Sequence, residues 1–129
     1  MVGIIRLAAR ACLAAIFLSS GVRALRDPTW QVTKAKEEIP MLPEPHLVAR
    51  TQAAVQVAGG AALVTGFATP VAAAALAATL IPVTYVGHPF WKIEDPRERR
   101  QQITQFLKNL GLFGGLLLLV LPPARSDRE

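Results

Sequence analysis

The sequence predicts an all-α fold: a four-helix transmembrane bundle with a short interfacial helix in the first connection. The main observation is that no Lys, Arg, Asp or Glu occurs from Thr51 to Trp91. A membrane-spanning helix needs about 20 mostly apolar residues, so this stretch holds two spans. Two further apolar segments lie nearer the ends of the chain. The composition agrees, since 52% of the residues are hydrophobic but only 6% are aromatic, and small apolar residues let helices pack closely in a bilayer.

The 129-residue chain is short enough for one domain, with predicted spans at residues 3–25, 47–68, 70–87 and 103–121. The first span also resembles a secretory signal, with Val22-Arg23-Ala24 as a weak cleavage site. The arginine in that site and the apolar spans downstream favour a retained helix. Gly66 and Pro70 separate the middle spans, because Gly suits a helix C-terminus and Pro the first turn of the next helix. Pro122-Pro123 ends the last span.

The two polar connections carry helix-start signals. In the first, Asp27-Pro28 supplies a cap and a first-turn proline, which predicts a short helix over Thr29–Glu38. Trp30 lies on its apolar side and suits the headgroup level of a membrane. The alternative is a solvated loop that only touches the membrane. In the second connection, Asp95-Pro96 repeats the same signal.

Small residues spaced four apart predict the packing faces of the helices. One set lies on the first span and another on the second: Ala11, Ala15 and Ser19, then Ala54, Ala58, Ala62 and Gly66. Gly59-Gly60 adds a point of close approach, and Cys12 is expected to pack within the first helix. These faces also make a homo-oligomer plausible.

The charge pattern indicates a membrane surface rather than a nucleic acid. The net charge is +5 and the pI about 10.2, but the basic residues lie beside apolar spans, where anionic lipid headgroups are the expected partner. Most of them lie in or beside the two polar connections. The positive-inside rule therefore predicts a multi-pass plasma-membrane protein with both connections in the cytoplasm. Arg6 and Arg10, next to the first span, favour the opposite orientation.

The chain has none of the short nucleotide-binding, dithiol or zinc-protease motifs. His46 and His88, with Glu44 or Asp95, offer metal-binding side chains, but their spacing does not require a site and we expect no metal. The catalytic residues are unknown from sequence. Ionisable groups at the edge of a bundle either anchor helices at the interface or mark a cavity. The candidate cavity residues are Arg23, Gln56, His88, Trp91, Lys108 and Asn109.

A cavity with these donors and apolar walls would suit a quinone headgroup, whose carbonyls accept hydrogen bonds. Gln56 is a special case, because an unpaired amide inside an apolar span is costly. It either bonds a neighbouring helix or contacts a ligand. We expect no intrinsic cofactor, and quinone is the candidate cofactor.

Several motifs resemble the DoxX family over most of the chain. They are Phe17-Leu18-Ser19-Ser20-Gly21 with Arg23 after it, Gly59-Gly60 with Gly66, His88-Pro89-Phe90-Trp91, and Phe106-Leu107-Lys108-Asn109 with Gly114-Gly115. The last two, in this order and spacing, are the most specific. Relatives often carry an acidic residue shortly before the paired glycines, where this chain has Gln56.

The resemblance implies a four-helix integral membrane protein. Some relatives are subunits of sulfur-compound:quinone oxidoreductases, and others are linked to oxidative-stress defence through partner enzymes. We therefore expect a subunit or membrane anchor of a redox system, with a quinone and a redox partner protein as candidate partners. Whether the chain is part of an enzyme stays open. If it is, it would be a non-catalytic or quinone-binding subunit. The alternatives are a small-molecule or lipid-binding membrane protein, or a transporter, and a purely structural partner.

Overall fold

A computed structural model describes residues 1–121. Its helices are α1 (Val2–Arg26), α2 (Thr29–Glu38), α3 (Pro45–Thr65), α4 (Thr69–Gly87) and α5 (Pro96–Val120), with a 3-10 turn at Phe90–Lys92. Four of these helices are long and apolar enough to cross a membrane, and no strand occurs in the described part of the chain. The predicted all-α fold with four spans and a short helix in the first connection is confirmed. The predicted helix stop at Pro122-Pro123 lies outside the described residues.

The largest boundary difference concerns α5, which begins at Pro96 rather than near residue 103. The carboxylate of Asp95 accepts a hydrogen bond from the backbone N–H of Arg97 at 3.1 Å. This cap and the proline that follows it start the helix within the charged segment. The charged turn and the apolar span are therefore one helix of 25 residues.

Successive long helices run antiparallel, and each packs mainly on a neighbour: α1 on α3, α3 on α4, and α4 on α5. Glycines allow the closest approaches. A Cβ on Gly60 would lie 2.8 Å from Leu18 of α1, and one on Gly59 would lie 2.9 Å from Leu76 of α4. The two adjacent glycines thus let α3 contact a different helix on each side.

The buried faces differ from the predicted small-residue stripes. In α3 the buried side includes Ala49, Ala53, Gln56, Gly60 and Leu63, whereas Ala54 and Ala58 are exposed. An α-helix has about 3.6 residues per turn, so residues spaced four apart are offset by about 40° around the helix axis at each step. A row of residues with this spacing therefore turns away from the neighbouring helix.

The corresponding prediction for α1 is also wrong. Ala15 and Ser19 are exposed, and Cys12 is exposed too. Ala14 and Phe17 are buried instead, and they belong to the core between the long helices.

The two polar connections meet at one end of the bundle, which we call the polar end. There Lys92, in the 3-10 turn, forms an ion pair with Glu38 at the end of α2. The ring of Trp30 comes within 3.4 Å of the position that a Cβ on Gly87 would take. These contacts hold α2 against the end of α4. The α3–α4 turn lies at the opposite end.

Candidate functional site

A central cavity of about 720 Å³ lies at the polar end of the bundle. All four long helices line it, and α2 contributes Trp30, Gln31 and Ala35. Apolar side chains such as Phe17, Leu80 and Val83 form much of the wall. The cavity is within the size range of small-molecule sites and has the same mixture of apolar walls and a few polar groups.

Five of the six predicted site residues line this central cavity: Arg23, Gln56, His88, Lys108 and Asn109. They come from α1, α3, α5 and the segment after α4, because the antiparallel topology brings those helix ends together. Trp91 is the exception and lies on a separate cleft.

The deepest polar groups of the central cavity are two amides. Gln56 is 6% exposed and Asn109 is 5% exposed. Asn109 Nδ2 donates to the Thr84 hydroxyl at 2.9 Å. No side-chain hydrogen bond joins Gln56 to any other residue in the range 1–121, so the interhelical bond considered for it is not formed. Gln52, one turn away, makes such a bond instead, from Nε2 to the carbonyl of Thr79 at 2.8 Å.

His88 is oriented by α5. Its Nδ1 lies 2.7 Å from Gln102 Oε1. With the amide in this orientation the oxygen accepts, so Nδ1 carries the proton and Nε2 of a neutral ring keeps its lone pair. A protonated ring would donate from both nitrogens. The imidazole can therefore either accept or donate a hydrogen bond at Nε2.

The cations of the site are exposed, in contrast to the buried amides. Arg23 Nη2 donates to Ser19 at 3.3 Å, and Lys108 Nζ donates to Gln105 at 2.7 Å. Asp27 also lines the cavity. Hydrogen bonds from the hydroxyl and the backbone N–H of Thr29 lower the pKa of Asp27 below its usual value. This carboxylate therefore stays charged near neutral pH and offsets one cation.

Sequence reasoning missed the contribution of α2 to the site. Gln31 and Trp30 line the central cavity, and Gln31 Oε1 is buried with no partner among the described residues. Their helix was predicted, but no sequence signal indicates that α2 lies across the bundle. Gln52 was detectable, since its spacing from Gln56 places both on one face.

Trp91 lines a second space of about 300 Å³, which we call the α4–α5 cleft. Its other aromatic residues are Tyr85, Phe106 and Phe113. The Trp91 ring lies 5.7 Å from that of Tyr85. Trp91, which belongs to the 3-10 turn after α4, therefore does not line the same cavity as the other five candidates.

Among residues 1–121, no group of three or more His, Cys, Asp or Glu side chains is arranged to hold a metal ion. His46 does not line the central cavity, whereas His88 does.

The bundle and its apolar helices define a multi-pass membrane protein. The family model of DoxX matches residues 5–89. The chain belongs to the DoxX family. No curated protein and no solved structure gives a significant match to it.

The matched region includes Arg23, Gln56 and His88 but ends before Trp91, Lys108 and Asn109. The motifs of the first three spans thus fall within the match, except for the end of His88-Pro89-Phe90-Trp91. The motif around Lys108 lies outside it.

Proposed function

We propose that this DoxX-family protein is a quinone-binding subunit or membrane anchor of a redox system. The observation that carries the proposal is the central cavity, whose wall includes Gln56, a residue only 6% exposed that makes no side-chain hydrogen bond within residues 1–121. Because no protein group bonds this amide, it is free to form a hydrogen bond with a ligand in the cavity, and the few other polar groups of an apolar wall serve the same purpose in small-molecule sites.

A quinone ring suits the cavity chemically. Its faces are apolar and would contact side chains such as Phe17 and Leu80. Its two carbonyl oxygens accept hydrogen bonds, which the amide of Gln56 and the ammonium of Lys108 can donate. The hydroxyls of the reduced ring would instead donate, and Nε2 of His88 is a suitable acceptor.

In this proposal the electrons come from a partner protein. We expect the chain to hold no redox cofactor of its own. Its single cysteine, Cys12, is exposed and lies outside the core. Reduction of the quinone would take two electrons from the partner and two protons from water. The imidazole of His88, which lines the cavity, would pass one of those protons. The partner, and any self-association, stay predictions.

The binding test uses matched pairs of variants in lipid nanodiscs, with decylubiquinone as the probe. His88→Ala and Lys108→Ala each remove a group that lines the cavity. The control variants His46→Ala and Lys36→Ala remove an imidazole and an ammonium group from positions that do not line the cavity. We expect about a tenfold rise in Kd for each cavity variant, the loss of one hydrogen bond to a polar or charged group, and no change for the controls. Unchanged binding in both cavity variants would refute the quinone site.

A second candidate function is binding or transport of an anionic amphiphile such as a lipid. The exposed cations of the site, Arg23 and Lys108, support it, because they suit a phosphate headgroup. The same nanodisc series separates the two functions. If the site binds lipid, Arg23→Ala should raise the Kd for phosphatidylglycerol, and the wild-type protein should not bind decylubiquinone.

A further inference from the structure

The α4–α5 cleft has no part in the headgroup contacts described above. It faces the bilayer, since Ile81 is 64% exposed and Leu110 55% exposed. It holds four of the aromatic residues of a chain that has only five Phe, two Trp and one Tyr. Its surface is almost wholly apolar, so it suits a membrane-dissolved ring or chain rather than a polar solute.

A thin wall separates this cleft from the central cavity. Leu80 and Asn109 line both spaces. Thr84 lines only the cleft, and its hydroxyl accepts the hydrogen bond from Asn109 Nδ2. The boundary between bilayer side and cavity at this point therefore consists of side chains from two helices, joined by one neutral hydrogen bond.

We propose that the α4–α5 cleft is the portal through which a bilayer-dissolved quinone reaches the central cavity, and that the Asn109–Thr84 hydrogen bond closes it. This inference rests on the proposed function. A quinone ring enters between the aromatic side chains, where offset or edge contacts are favourable. It displaces the Asn109 amide from Thr84 as it passes, and the hydrogen bond forms again once the ring lies in the central cavity.

The two tryptophans of the chain make the route measurable. Trp30 lines the central cavity, and Trp91 lines the cleft. A Trp91→Phe protein keeps an aromatic ring in the cleft and leaves Trp30 as the reporter. Stopped-flow quenching of Trp30 by decylubiquinone in nanodiscs, at several quinone-to-lipid ratios, gives the entry and exit rates and the Kd.

In this background, Thr84→Val removes the acceptor while keeping the shape of the side chain. A gate affects both directions of passage, so we expect entry and exit rates to rise about fivefold each, the value of one neutral hydrogen bond, with no change in Kd. Leu110→Phe adds bulk to the cleft and should slow both rates. Leu118→Phe, on the same helix and 73% exposed outside the cleft, is the control and should change neither.

Two results would overturn the portal while leaving the quinone site intact. Unchanged rates in both Thr84→Val and Leu110→Phe would mean that the quinone enters elsewhere, such as beneath α2. A change in Kd without matched changes in both rates would make the cleft part of the bound state rather than a route. A third result, no saturable quenching of Trp30 in the parent protein, would overturn the quinone site and the portal with it.

Discussion

At the residue scale, the importance of each glycine depends on what lies opposite it. Gly66 ends α3 with a φ of 78°, a backbone region that residues with a Cβ seldom adopt. A Cβ there would also lie 2.7 Å from Nη1 of Arg10. The guanidinium thus packs at the C-terminus of α3, where the helix dipole favours a cation. Arg10 of α1, expected only as a flanking charge, packs against the turn between the middle spans.

Gly66→Ala should lower the free energy of unfolding by about 1–2 kcal/mol, because alanine is strained in the left-handed region. Thermal unfolding in detergent measures this as a fall in Tm. Gly111→Ala is the matched control. Nothing lies within 4 Å of a Cβ at that position inside α5, so this change should raise stability by about 0.5–1 kcal/mol. Equal effects of the two substitutions would contradict the structural role of Gly66.

The sequence identifies glycine positions but not their neighbours. Gly59-Gly60 was predicted as a point of close approach, and this is confirmed. Gly60 lies against α1 and Gly59 lies against α4. This assignment depends on the orientation of the three helices about their own axes. That orientation is a property of the packed bundle, since side chains on several faces of α3 are apolar and each offers a possible contact.

At the element scale, α2 is the least apolar helix, and an ion pair and an aromatic contact hold it to the end of α4. The Glu38–Lys92 ion pair joins it to the segment after α4, and Trp30 packs beside Gly87. Its range was predictable from the Asp27-Pro28 pair, but each residue of the pair lies one position earlier in the helix start than predicted. Pro28 is the capping residue and makes no side-chain bond, and the carboxylate of Asp27 accepts a hydrogen bond from the Thr29 backbone. The position of α2 over the central cavity was not predictable, because long-range ion pairs leave no local sequence pattern.

Glu38→Gln should loosen α2 over the central cavity. Exposed ion pairs contribute about 0.2–1 kcal/mol, so hydrogen exchange of the α2 amides should accelerate by up to about fivefold. Lys92→Gln should have the same effect, and the double variant should add little to either. Glu37→Gln is the control, because Glu37 pairs with Lys34 inside α2 at 3.1 Å. Exchange that responds equally to the Glu37 and Glu38 variants would argue against a tether.

At the scale of the whole molecule, antiparallel topology explains why the candidate site was largely predictable. Once four spans are assigned, the polar ends of α1, α4 and α5 must come together, which gathers Arg23, His88 and Lys108. The sequence could not place Trp91, because it does not show that this residue belongs to a 3-10 turn of three residues between α4 and α5. The positions of the helices along the chain were predictable, and the orientation of each helix about its own axis was not.

Membrane orientation is a further prediction for the whole molecule. Replacing the single cysteine by Cys12→Ser allows a reporter cysteine at Lys36 in α2 or at Phe67 in the α3–α4 turn, where the side chain is 76% exposed. With the polar connections in the cytoplasm, a membrane-impermeant maleimide should label Phe67→Cys in intact cells. It should label Lys36→Cys only after permeabilisation. The reverse pattern would place the polar end outside.

The central claim is that the cavity binds a quinone for a redox partner. The most direct measurement is purification from native membranes in mild detergent, with bound quinones and co-purifying proteins quantified by mass spectrometry. The wild-type protein should carry quinone at a higher ratio to lipid than the membrane does, together with a stoichiometric redox protein. Gln56→Leu should lose the quinone and keep the partner. A protein that carries neither would contradict the account and favour lipid binding or transport.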